Sequence, residues 1–216
     1  MKLLSRPRYF LHCLLCIVGL LNMALAVAAP LQAGRDYSVI DPPLGTTKDK
    51  IEVIEFFSYG CPHCNDFHGL IDAWAAKLPK DVVLRRVPVS FNRPPWAKLA
   101  RLYYSLEANG EVNRLNGEVF KALHQDRINL NNDDALASWA TQHGLDAKKL
   151  TSLMTSFGVQ SLAARADQEA VAAKINGVPS LVVNGKYLLI NEAAGSYEEL
   201  LKRTDQLIAS ERGKGK

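Results

Sequence analysis

The sequence predicts an α/β fold in which one sheet is built from both ends of the chain and an all-helical domain is inserted between them. Three observations carry this reading. A strand, turn, helix and strand succeed one another over residues 51–89. Five apolar stripes of helical period then follow with no strand among them. Strands return after Pro179 and lead into one last helix.

Each element has a local cause. Arg35 to Ile40 reads as a first short strand, closed by the Asp41-Pro42-Pro43-Leu44-Gly45 loop. Ile51 to Ser58 reads as a buried strand. Alternation places Ile51, Val53, Glu55 and Phe57 on one face and Ile54 and Phe56 on the other, so both faces are largely apolar. Phe67, Leu70, Ile71, Trp74 and Leu78 then recur at helical spacing, and Pro79 stops the helix. Val82 to Val89 is the next strand, parallel to the one before the helix. Arg93-Pro94-Pro95 opens the helical block. Its stripes begin at Trp96, Val112, Leu136, Leu150 and Val159, with Asn132 or Asp133 available as a cap and Gly144 as a stop. Ser180 to Val183 and Lys186 to Ile190 form a hairpin around Asn184-Gly185, a dipeptide suited to the type I′ turn. Ser196-Tyr197-Glu198-Glu199 is a capping box that starts a helix to about Ala209. The tail from Gly213 to Lys216 is expected to be solvated.

The first residues differ in kind from the rest. Lys2, Arg6 and Arg8 precede an apolar run from Tyr9 to Val27, and small residues gather at Ala24, Ala26, Ala28 and Ala29. This is the order of a secretory signal peptide, residues 1–28, with cleavage near Ala28. An uncleaved membrane anchor is the alternative, since the run is nearly long enough to span a bilayer. The leader holds three of the 26 basic residues and no acidic ones, so its removal lowers the net charge from +4 to +1. Basicity is therefore a property of the leader and gives no reason to expect a nucleic-acid partner. Cys13 and Cys16 lie in the apolar run, which leaves Cys61 and Cys64 as the cysteines of the exported chain.

Those two cysteines carry the chemistry. An exported chain meets an oxidising compartment. A disulfide that closes so short a loop is a weak staple, because stabilisation grows with loop length. The pair sits between a buried strand and a helix, the setting of a redox C-x-x-C. Cys61 falls at the helix N-terminus, where free N–H groups and the dipole favour a thiolate. Pro62 in the first turn gives up no needed N–H, and His63 can add positive charge beside the sulfur. Cys64 lies one turn deeper. A low-pKa thiol is a good leaving group, so the Cys61–Cys64 disulfide should be readily attacked and the pair oxidising. A structural disulfide shares the spacing but needs neither the helix start nor the histidine. A zinc site could begin with Cys61, Cys64 and His68, but no second cysteine or histidine pair supplies the fourth ligand, and no metal is expected. His124 and His143 stand singly on helices and are assigned no function.

Three distant features fit the redox reading. Val178-Pro179 precedes a strand, where proline needs a reason to stand; a cis turn facing the cysteines is one reason and an ordinary loop is another. Glu55 shares a strand face with apolar residues, so it either needs a partner and could relay a proton to Cys64, or reaches water at the strand end. Arg86, on the neighbouring strand, is a candidate partner for it, although strand arginines are usually solvated.

The stretch Ile54-Glu55-Phe56-Phe57-Ser58-Tyr59-Gly60-Cys61-Pro62-His63-Cys64, the Gly177-Val178-Pro179-Ser180 turn and the Val183-Asn184-Gly185-Lys186-Tyr187 segment resemble the DsbA family of periplasmic thiol–disulfide interchange proteins. The resemblance extends over essentially the whole exported chain. It implies a thioredoxin-like fold in two segments, 29–91 and 167–216, with the helical domain inserted at 92–166. It implies a low cysteine pKa and a strong oxidant, both characteristic of that family. It implies a cis Val178-Pro179 that touches bound substrate, with Glu55 matching the family's buried acid and Arg86 standing where a lysine is often found. It implies a monomeric enzyme without a cofactor other than its own disulfide. Its substrates would be reduced exported proteins, and a DsbB-like membrane quinone reductase would reoxidise it. Asn65-Asp66-Phe67 is more polar than in some relatives, which leaves groove specificity open. The rivals are a reductase or isomerase of the same fold and, from another class, a peptide-binding chaperone with its groove beside Pro179.

Overall fold

The structure, a computed structural model, describes residues 30–47 and 49–214. The leader, with Cys13, Cys16 and the expected cleavage at Ala28, lies outside the described residues. The elements are β1 (Tyr37–Val39), β2 (Ile51–Phe57), α1 (Pro62–Ala75), β3 (Val82–Pro88), α2 (Pro94–Ala108), α3 (Val112–His124), α4 (Asp133–Gln142), α5 (Ala147–Thr155), α6 (Phe157–Ala172), β4 (Ser180–Val183), β5 (Tyr187–Leu189), α7 (Asn191–Ala194) and α8 (Tyr197–Lys214). The strands form one sheet in the order β1-β5-β4-β2-β3. Among the described strands only β2 and β3 pair in parallel, joined through α1 as a βαβ unit; the other strand pairs are antiparallel.

Strand β2 is central because both its edges and both its faces have partners. Val53 packs with Phe67, Ile71, Leu181 and Leu200 under α1 and α8. Ile54 and Phe56 pack on the opposite side with Leu102, Ala166 and Val182. All three side chains are fully buried, and each contributes about 1.5–3 kcal/mol by leaving water. The helical block α2–α6 adds its own apolar residues, among them Leu106, Leu115, Leu136, Trp139 and Leu150, to that second cluster. Helix α6 runs unbroken across residues 166 and 167. Arg85 ties it to the sheet, donating to Glu169 at 2.6 and 3.0 Å and to the buried Glu52 at 3.2 Å.

The hairpin turn has the expected geometry, with φ of 51° at Asn184 and 66° at Gly185. A Cβ at Gly185 would fall 2.4 Å from the Leu44 carbonyl oxygen, so glycine is required there twice over. Three elements differ from the sequence reading. The first strand is shorter, three residues instead of six. A single helical turn, α7, follows β5; it is too short to show a period and ends at Gly195 with φ 75°. The last helix continues to Lys214 instead of ending near Ala209, and this corrects the expectation for Gly213 and Lys214. The cause is Glu211. Its buried carboxylate accepts from Asn184 Nδ2 (2.7 Å), Lys186 Nζ (2.6 Å), Tyr187 Oη (3.1 Å) and Lys214 Nζ (3.2 Å), which pins the final turns to the hairpin.

Candidate active site

Strand β2 ends at Phe57, and the chain must turn before α1 can begin. Ser58 makes the turn: its carbonyl accepts the Cys61 N–H at 3.1 Å and its hydroxyl accepts the Gly60 N–H at 3.2 Å. Cys61 is the N-cap residue, extended at φ −94° and ψ 120°, and Pro62 occupies the first turn. Cys61 therefore stands at the helix end whose first amide groups have no carbonyl partner in the helix. Gly60 is required by space. A Cβ there would lie 2.7 Å from Trp96 Nε1 and 2.9 Å from Trp96 Cδ1.

The two thiols are both free and chemically unequal. Cys61 is 6% exposed and Cys64 is fully buried. The Cys64 thiol donates to the Cys61 sulfur, and this lowers the Cys61 pKa most. Burial opposes the shift. The N–H groups of Cys64 and His63 and then the positive charge of His63 reinforce it, leaving Cys61 at about 6, down from 9.0. His63 itself is exposed, so its charge is the least of these contributions. Cys64 moves the other way. Burial pushes it far up, and its hydrogen bond and proximity to the Cys61 thiolate push it further. At neutral pH the site holds one thiolate and one thiol.

The turn at residues 177–180 covers this pair. The Val178–Pro179 bond is cis, and Cys61, when protonated, donates to the Val178 carbonyl at 3.4 Å. Ser180 Oγ donates to the Gly177 carbonyl at 2.8 Å, and Asn191 Nδ2 donates to the Pro179 carbonyl at 2.5 Å. Tyr197 Oη donates to the His63 carbonyl at 3.2 Å. An open cavity of about 540 Å³ lies against Asn191 and Tyr197, lined also by Gly195 and Leu200 among others.

Glu55 and Arg86 are brought together. They are register partners across β2 and β3, and Arg86 Nε donates to Glu55 Oε2 at 2.8 Å. Glu55 is 2% exposed. Burial pushes its carboxyl above the usual range although Arg86 is beside it. Its charge is felt at Cys64. Asp72 on α1 accepts from the other side of the Arg86 guanidinium, so the arginine serves two carboxylates. Sequence reading missed Asp72, because it sits beside the apolar stripe of α1 with nothing to mark which strand lies below.

His68 is not drawn toward the cysteines. Its Nδ1 contacts the Asn65 carbonyl at 2.5 Å and its ring stacks on Phe120 at 4.7 Å. Among the described residues, no group of three or more His, Cys, Asp or Glu side chains is placed to hold a metal ion. His124, assigned no function above, reaches the Tyr59 carbonyl with Nε2 at 2.7 Å. Asn191 and Trp96 were also missed. Each acts on backbone beside the cysteines through a contact that no local pattern encodes.

Comparison with known proteins agrees with this geometry. Residues 52–202 match the DSBA-like thioredoxin domain family. The thiol:disulfide interchange protein DsbA of Bordetella parapertussis is 41% identical over 189 residues, 87% of this chain and 90% of that one. The protein of the same name from Pseudomonas aeruginosa is 36% identical over 207 residues, 95% of this chain and 97% of that one. The crystal structure of Pseudomonas aeruginosa DsbA superposes with a TM-score of 0.80 at 35% identity, covering 86% of this chain and 96% of that one. The oxidoreductase DsbA from Xylella fastidiosa gives 0.79 at 30% identity, covering 85% and 98%. With the family match, these identities over most of both chains and the shared fold in agreement, this chain belongs to the DsbA family of thioredoxin-fold thiol:disulfide interchange proteins.

Proposed function

We propose that this protein is a periplasmic thiol:disulfide oxidoreductase that introduces disulfide bonds into exported proteins through the Cys61–Cys64 pair. The observation that carries the reading is the inequality of the two sulfurs: Cys61 at the helix start with a pKa of about 6, Cys64 buried behind it and held as a thiol. The leader of residues 1–28 would direct the chain to that compartment.

In the disulfide form, a client thiolate attacks the Cys61 sulfur. The Cys61–Cys64 bond breaks, and its electron pair goes to Cys64, which takes up a proton. Glu55, whose carboxyl burial pushes above the usual range, is the group that would supply it, with Arg86 holding the carboxyl in place. A second client thiolate then attacks the client sulfur of the mixed disulfide and expels Cys61 as a thiolate. The client has lost two electrons and gained a disulfide, and the enzyme holds the dithiol. Cys61 leaves easily because its thiolate is stabilised. His63 and Pro62 shape the exposed side of the pair, and Val178 and Pro179 would lie along the client backbone. A DsbB-like membrane quinone reductase would accept the two electrons and restore the disulfide. The only redox group required is the cysteine pair.

The test is stoichiometric oxidation of reduced, unfolded ribonuclease by the disulfide form, scored by recovered ribonuclease activity. Wild type should restore activity, and Cys61→Ser should not. Faster reduction of insulin disulfides by the dithiol form would instead favour a reductase. Suppression of client aggregation undiminished in Cys61→Ser would favour a chaperone.

A further inference from the structure

Helix α3 of the inserted domain grips the reactive turn with three side chains on one face. Asn116, Phe120 and His124 stand at i, i+4 and i+8, and all three meet Tyr59, two residues before Cys61. The Tyr59 hydroxyl donates to Asn116 Oδ1 at 3.0 Å. The Tyr59 ring meets Phe120 edge-on, with centroids 5.0 Å apart and planes at 71°. His124 Nε2 lies 2.7 Å from the Tyr59 carbonyl oxygen. A carbonyl can only accept, so Nε2 carries the proton. Phe120 also stacks on His68 of α1 at 4.7 Å. One helix thus holds the backbone just before the first cysteine and the helix just after the second.

We propose that α3 is a positioning element for the reactive thiol, and that His124, by fixing the Tyr59 carbonyl, sets the orientation in which the Cys61 sulfur stands at the N-terminus of α1. The proposal rests on Cys61 being the reactive thiol. Its physical basis is the steep angular dependence of hydrogen bonds. Tyr59 and Gly60 link the end of β2 to the N-cap. The turn is closed by bonds to Ser58 alone, one from Gly60 and one from Cys61. Without an outside hold, the Tyr59–Gly60 peptide can rotate, and rotation swings Cys61 off the helix axis. The favourable placement of its thiolate at the helix N-terminus would then be lost first, with the fold otherwise kept.

The test is the Cys61 pKa of the dithiol protein, from thiolate absorbance against pH, together with its alkylation rate by iodoacetamide. His124→Ala should raise the pKa by roughly half a unit to one unit, the scale of one weakened hydrogen bond to a charged group. Thiolate-limited alkylation below pH 6 should slow in proportion. His124→Gln, whose side-chain amide can stand where Nε2 stands, should restore both. Tyr59→Phe, which keeps the ring and removes only the bond to Asn116, should shift the pKa in the same direction by less, and it serves if His124→Ala does not fold. Variants that melt earlier while Cys61 titrates as in wild type would overturn the proposal and leave α3 a packing element. A wild-type Cys61 that itself titrates near 9 would show a different failure, that of the activated thiol, and would overturn the clamp with it.

Discussion

Lowering the pH from 7 to 5 should narrow the stability difference between the dithiol and disulfide forms by about 1 kcal/mol. In the folded dithiol form Cys61 has a pKa of about 6, against an ordinary value of 9.0. An acid whose folded pKa is depressed adds stability above its unfolded pKa and loses it as pH falls through the folded one. Linkage over this pair of values gives about 1.4 kcal/mol at pH 7 and nearly zero at pH 5. The change between the two pH values is therefore about 1 kcal/mol. For a chain of this size that corresponds to about 2–4 °C in melting temperature, and in the two-electron couple to about 20 mV. Cys64 does not complicate the window. Its folded pKa is raised and its unfolded one is ordinary, so it is a thiol in both states below about pH 8. The assay is denaturant unfolding of both redox forms at several values from pH 5 to pH 8. Carboxylates and histidines common to both forms cancel in the difference. A gap that stays constant across that range would refute the reasoning.

Three further outcomes follow from packing and charge. Gly60→Ala places a methyl against the Trp96 ring at under 3 Å and should destabilise by about 1–3 kcal/mol; combining it with Trp96→Ala should cost less than the two single losses together, measured as a double-mutant cycle. Arg86→Ala leaves Glu55 buried without its partner and should cost about 3–5 kcal/mol where Glu55 is ionised. The cost should be smaller at pH 5 than at pH 8, because an unpaired buried carboxyl becomes neutral as pH falls, and Glu55→Gln should cost less at pH 8; urea unfolding at the two pH values checks both. Gly185→Ala combines a left-handed φ of 66° with a backbone clash at Leu44 and should cost at least about 2 kcal/mol in the same assay.

Most of the sheet and the reactive pair can be read from local sequence, because their causes are local. The alternation of β2, the stripe of α1 and the Asn184-Gly185 turn each act within a few residues. Alternation on β2 marks Glu55 as needing a partner and the neighbouring strand offers Arg86, and register Glu55↔Arg86 brings them together. What could not be read depends on which helix lies over which strand. Asp72 joins Arg86 only because α1 crosses β3, and Asn191 holds the Pro179 carbonyl only because β5 returns beside β4. The Asn116, Phe120 and His124 spacing was visible in the sequence, but it runs beside the apolar stripe of Val112, Leu115, Val119 and Leu123. A polar residue and a histidine on a stripe edge carry no sign of what they face.

The inequality of the two sulfurs also decides which one a client can reach and which bond breaks. Attack on Cys64 is closed by burial, since it has no exposed surface. Attack on Cys61 expels Cys64, whose raised pKa would make it a poor leaving group if it left as an anion. It therefore has to leave with a proton, and the buried carboxyl pushed toward its neutral form beside it is suited to provide one. The second step has no such need, because Cys61 leaves as a stable thiolate. General-acid help should thus appear in the first step alone. Glu55→Gln should slow formation of the mixed disulfide with a reduced cysteine peptide and leave its resolution by a second thiol unchanged, as stopped-flow fluorescence on the two half-reactions would show. Equal slowing of both steps would remove Glu55 from the proton path and leave it a structural partner of Arg86.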